Sequence, residues 1–214
     1  MGKPLRLRTT IFILERDAHL GDDMALEKDV KTISKYLTTK QKEFDKVMDL
    51  TRDTIRDAAH SITMLHNDDK TGAQKRLNSA YKNVKILKKF DAKFEYHIRQ
   101  AYQEYAEAKI FFDIKTKNIV PNFSSVGVSM ESYLLGLMDV MGELKREILE
   151  ELRKGNIKKA ENYFDKMRLI YDDTRSLRFA EAVLSGFRRK QDTARIQVES
   201  AGSEILSFKN SKNR

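Results

Sequence analysis

The chain has 214 residues, with 41 Lys and Arg, 32 Asp and Glu and no cysteine. It is long enough for one sizeable core, and it excludes disulfides, zinc–thiolate sites, iron–sulfur clusters and a cysteine nucleophile. Only 2 prolines and 9 glycines punctuate it, too few for a many-turned β sandwich or barrel, so long helices are the natural reading. The net charge of +9 points to a polyanionic partner.

At the N-terminus, basic residues precede an apolar run, Ile11–Leu14. That run is too short for a signal-peptide core or a membrane span, and Arg6 breaks the myristoylation pattern that Gly2 opens. The expectation is a cytoplasmic protein with no membrane partner. It would have an N-terminal arm over residues 1–22, one helical domain over 23–208 and a polar tail over 209–214.

Phe44, Met48, Thr51, Ile55, Ala58, Ile62 and Leu65 follow 4,3 spacing and predict a first helix over 24–66. Asn67-Asp68-Asp69 reads as a turn. Leu77, Ala80, Val84, Leu87, Asp91, Phe94, Ile98, Ala101, Tyr105, Ala108 and Phe112 keep 3,4 spacing and predict one long second helix. Pro121 and Gly127 mark the loop that ends it. Ser129 is the expected N-cap of a third helix reaching Lys154, which Gly155-Asn156 stops. A fourth helix is expected over 157–172 and a last one over 174–206, broken near Gly186. The fold class is an all-α bundle.

The third helix is apolar in nearly every direction, through Tyr133, Leu134, Leu135, Leu137, Met138, Val140, Met141 and Leu144. It must be buried on several sides, within the subunit or against another. Gly136 and Gly142 would admit a neighbouring backbone. Asp139 is a carboxylate in the middle of this stretch, costly unless paired, protonated or bound to a metal.

On the second helix Glu104 and Glu107 lie three apart, on one side and about 5–6 Å from each other at Cβ. If Asp139 faces them, three hard oxygen donors converge in a set that suits Mg²⁺, or Mn²⁺, rather than zinc. A solvated face is the rival reading of the two glutamates. His60 and His66 form no pattern and read as ordinary surface or boundary residues. The charge is also unevenly placed: residues 70–100 hold nine Lys/Arg against two acids and 174–214 nine against four, so these segments carry +12 and the remainder −3. Phosphate contact is the functional reading of that partition, and solvation the bland one.

Taken together, these residues resemble the translin family. The stretch 128–146, VSMESYLLGLMDVMGELKR, is similar to its core motif, and the likeness continues through Gly155-Asn156-Ile157, Ala160 and the segment 164–171 to the basic helix at 187–195. Lys93–Arg99 resembles the family's basic, histidine-bearing RNA-contact region. The likeness is to the Trax-like branch (translin-associated factor X) of archaeal type, whose motif places Glu-x-x-Glu on one helix and Asp in Tyr-Leu-x-Gly-x-x-Asp on the next. Glu104, Glu107 and Asp139 fill those positions.

The resemblance implies a translin-like bundle of about seven helices forming a hollow homo-oligomer, an octamer, with inward-facing sites. It implies a Mg²⁺-dependent endoribonuclease for single-stranded RNA, with single-stranded DNA as a further ligand. Glu104, Glu107 and Asp139 would be catalytic and, with Glu143 nearby, would hold the metal. Lys89, Lys93, His97, Arg99, Arg188, Arg189, Lys190 and Arg195 would hold nucleic acid. A translin-like binding protein without turnover and a structural helical bundle are the rival readings.

Overall fold

The computed structural model describes the backbone of residues 7–212 and the side chains from Met24 onward. The expected arm lies outside the described side chains, and Asn213 and Arg214 of the expected tail lie outside the described residues. The described residues are helical, without strands. They comprise α1 (Leu7–His66), α2 (Lys70–Leu87), α3 (Asp91–Lys117), a single turn α4 (Phe123–Val126), α5 (Met130–Arg153), α6 (Ile157–Thr174) and α7 (Phe187–Lys212). None of these helices is long and apolar enough to cross a membrane. The chain forms two units, one ending at Lys46 and one beginning at Val47.

In the first unit the large apolar side chains of Met24, Leu26, Val30, Ile33, Tyr36 and Leu37 are exposed.

In the second unit α5 is the central element, packed against α3, α6 and α7, as its all-round apolar character requires. Met141, Leu144 and Ile148 are fully buried, as are Ile98, Ile110 and Phe111 of α3. Each such side chain contributes roughly 1.5–3 kcal/mol on leaving water. Ser129 caps α5, its hydroxyl accepting the Ser132 amide at 3.2 Å. At the other end Gly155 takes φ +80° and the Asn156 amide donates to the Glu151 carbonyl at 2.8 Å, a left-handed stop that a glycine makes at low cost. The predicted 67–69 turn is present, with Asp69 capping α2 through the Gly72 amide at 2.8 Å.

Three segments depart from expectation. The second helix is not continuous, because a 3₁₀ turn at Lys88–Phe90 separates α2 from α3 and Phe94 is non-helical (φ −137°, ψ 25°). Asp91 holds a core position in the apolar stripe, where a continuous helix would bury its carboxylate at a cost. With the break, Asp91 instead accepts the Tyr102 hydroxyl at 2.7 Å. Residues 175–186 are not helical, so the last helix starts at Phe187 rather than 174. Glu181 closes that segment by accepting from the Gly186 amide at 2.6 Å and the Ser185 hydroxyl at 2.9 Å. Finally, the buried face of α1 includes polar residues absent from the apolar stripe. Asp57 pairs with Arg76 of α2 at 3.0 Å, and Ser61 donates to the Ala73 carbonyl at 3.0 Å.

Candidate active site

The site begins with a missing side chain. A Cβ at Gly136 would lie 2.8 Å from the Ala106 Cβ, 3.0 Å from the Glu107 amide nitrogen and 3.2 Å from the Gln103 carbonyl oxygen. Only glycine lets α5 settle this closely on the α3 turn that carries Glu104 and Glu107. Asp139 and Glu143 follow at three and seven residues along α5, on the same face. Gly142 is different, since a Cβ there would meet only the Gln197 side-chain amide at 3.4 Å, and no backbone approaches it.

Four carboxylates thus share one electrostatic neighbourhood. Burial, then the charges of Asp139, Glu104 and Glu143, push the Glu107 carboxyl up to about 8, against a smaller opposing pull from Lys190. Burial and Asp139 also raise Glu104, offset in part by Lys190 and a hydrogen bond from Gln100. Asp139 is the paired carboxylate that its cost demanded. Its Oδ2 accepts from Gln103 Nε2 at 2.6 Å, and its Oδ1 accepts from the Lys190 ammonium of α7.

The donor set is all oxygen and strongly anionic, which fits a hard divalent cation. Ionisation of Glu107, in particular, is resisted by its surroundings, and a divalent cation would ease it. Among the described residues, however, no three Asp, Glu or His side chains stand ready-grouped around one ion position. Lys190 supplies the cationic charge at Asp139 instead.

Behind the acids lies a residue that the sequence reading passed over. His66, at the end of α1, is not an ordinary boundary residue: its side chain is 8% exposed. Its Nε2 bonds to Glu143 and its Nδ1 to Glu147, the latter at 2.6 Å. Glu147 also pairs with Lys115 at 3.0 Å. Burial lowers the affinity of the imidazole for its second proton, but the two glutamates together outweigh burial and leave it raised. The ring thereby fixes Glu143, one turn beyond Asp139. Its partners are 77 and 81 residues away, so no local pattern could have shown it; the glutamates' i,i+4 spacing on α5 was the one available hint. His60 is exposed, as expected.

The basic residues divide. Lys190 joins the acids, and Arg189 lines the same opening, of about 250 Å³, as Asp139 and Lys190. Arg188, exposed on the first turn of α7, lines a different opening, with Arg178 and Phe179. Lys89, Lys93 and His97 are exposed around the start of α3, and His97 lies seven residues before Glu104, about 10 Å along the helix. Arg99 reaches Glu95 at 3.4 Å. Arg195 pairs with Glu199 at 3.2 Å, two turns beyond Arg188.

No protein-family model matches the sequence. The chain is 32% identical over 177 residues to the uncharacterized protein MJ0175 of Methanocaldococcus jannaschii, covering 81% of this chain and 79% of that protein. Three solved structures are similar. AfC3PO in complex with duplex RNA matches with a TM-score of 0.80 and 24% identity, over 86% of this chain and 98% of that one. AfC3PO alone gives 0.79 and 24%, over 86% and 99%. Apo-NeC3PO gives 0.73 and 23%, over 84% and 96%. The chain therefore belongs to one family with the M. jannaschii protein, and its fold is the translin/Trax-type fold of C3PO.

Proposed function

We propose that this protein is a divalent-metal-dependent endoribonuclease that binds and cuts single-stranded RNA. The observation that carries the reading is the shared electrostatic neighbourhood of Glu104, Glu107, Asp139 and Glu143, with Asp139 on the wall of an opening that Arg189 and Lys190 also line. RNA as the ligand class is supported by the duplex-RNA complex of the structurally similar AfC3PO. Glu104, Glu107 and Asp139 would hold Mg²⁺, or Mn²⁺ in its place, with Glu143 kept at their side by His66. The ion, when bound, supplies an acidified water and neutralises charge on the phosphodiester. The chain itself does the rest. Arg188, Arg189 and Lys190 hold phosphate beside the acids. Lys93, His97 and Arg99 at the start of α3, with Lys89 in the turn before it, hold the strand, and Arg195 extends the contact along α7. Part-burial of Glu104 and Glu107 keeps bulk water from screening these charges.

The competing reading is a translin-like protein that binds single-stranded RNA or DNA without turnover. The Lys190–Asp139 ion pair favours it, because that carboxylate is already neutralised. Labelled single-stranded and duplex RNA, incubated with Mg²⁺ or with a chelator, separate the two. Products that form from the single strand only with Mg²⁺ support the nuclease. Salt-sensitive binding with no products under either condition supports the second reading.

The protein acts as a homo-oligomer in this proposal, an octamer. The support is the exposed row Leu26, Val30, Ile33 and Leu37 on α1, whose 4,3,4 spacing is that of a helix–helix seam. Light scattering should give the mass of eight chains. A monomer mass at micromolar concentration would overturn the assembly.

A further inference from the structure

Asp139 is held from two sides by side chains that do different things. Gln103, neutral and on the α3 turn of Glu104 and Glu107, aims the carboxylate with a 2.6 Å hydrogen bond. Lys190, from α7, brings a full positive charge to the other oxygen. The ammonium thus does, in the protein alone, what a metal ion would do for that carboxylate.

The two cations would compete for that carboxylate. Charges of like sign a few ångströms apart repel strongly in a half-buried site. A lysine is suited to yield, because its compact charge rides on a flexible four-carbon stem. The side chains of Lys190 and Asp139 are 25% and 21% exposed, so the pair lies at the mouth of the site rather than sealed beneath it. It lies on the wall of the opening of about 250 Å³ that Arg189 also lines. An ammonium leaving Asp139 therefore has an open space beside Arg189 to move into.

We propose that Lys190 is a displaceable counter-ion: it holds Asp139 while the metal is absent, yields that carboxylate to an incoming divalent ion, and passes to a phosphate of the bound strand. The inference rests on the metal-centre reading above. Its consequence is cooperativity. Loading the metal frees Lys190 for phosphate, phosphate draws Lys190 off Asp139, and by linkage each ligand tightens the other by one common factor.

The test is Mn²⁺ binding to the full-length protein, read from the paramagnetic resonance of the free ion, with and without an uncleavable 2′-O-methyl RNA strand. In the wild type the strand should tighten Mn²⁺ binding about tenfold, and Mn²⁺ should tighten strand binding by the same factor. Lys190→Met should bind Mn²⁺ about tenfold more tightly than the wild type without the strand, and the strand should tighten Mn²⁺ binding less than it does in the wild type. A lysine that merely supports the fold would have the opposite effect, its loss weakening the metal. Lys190→Gln and the wild-type coupling carry the same test if the methionine variant does not fold. A variant that binds Mn²⁺ no more tightly than the wild type, or a wild type that binds both ligands independently, overturns the inference alone. A wild type that binds no Mn²⁺ overturns the metal-centre reading as well.

Discussion

Glu107→Gln is expected to stabilise the protein in divalent-free buffer at pH 8.5, and to do so hardly at all at pH 5. Burial and three neighbouring carboxylates raise the folded-state carboxyl to about 8. The native state therefore binds that proton more tightly than the unfolded chain does. For a carboxyl raised in this way, the favourable contribution is complete below its unfolded value of 4.5 and is lost as pH rises through the folded one. By pH 8.5 the wild type bears most of the cost of an ionised, crowded Glu107, and the neutral amide removes on the order of 2–4 kcal/mol of it. Thermal melts of both proteins at the two pH values check this. Adding Mg²⁺ should reverse the order at pH 8.5, because the ion relieves wild-type Glu107 and has no charge to relieve in the amide. An amide variant no more stable than the wild type at pH 8.5 without metal would contradict the shared field.

The second large effect is at His66. Its imidazole is nearly enclosed, packs against the Phe111 ring at 5.1 Å between centroids, and bonds to two glutamates at once. His66→Ala removes the packing and strands Glu143. Glu147 keeps Lys115. A loss of about 2–4 kcal/mol at pH 6 is expected, the range for breaking a buried charged hydrogen-bond group from one side. The imidazole is raised in the folded state, so its ionic contribution is full below the unfolded value of 6.5 and fades as pH rises through the folded one. The gap between wild type and variant should accordingly narrow towards pH 9. A gap that is constant across that range would mean that only the packing matters.

The legible parts of this molecule are those governed by local spacing. The 3,4 pattern marked the buried face of α3, Ser129 and Gly155 marked both ends of α5, and the Glu104–Glu107 pair stood out because i,i+3 fixes a side of a helix. Gly136 was legible as a site of close approach, though not as the contact that brings α5 onto the Glu107 turn. The break at Lys88–Phe90 was hidden, because the 3,4 spacing runs through it with Asp91 in the stripe, and the deciding partner, Tyr102, is eleven residues on. The pairing of Asp139 with Lys190, 51 residues away, and of His66 with Glu143 depends on how three helices meet. No window of sequence contains that information. Lys190 was read as a phosphate ligand from its basic neighbours, and its place among the acids became visible only when α7 was laid against α5.

If the carboxylates on α3 and α5 form one metal-dependent cutting site, cleavage of labelled single-stranded RNA with Mg²⁺ by the wild type, Glu107→Ala and Asp139→Ala, with strand binding measured alongside, will show it. Products are expected from the wild type only when Mg²⁺ is present. Either variant should lose at least about 100-fold in cleavage while the RNA remains bound. Full activity in either variant, or wild-type cleavage that survives a chelator, would rule out such a site.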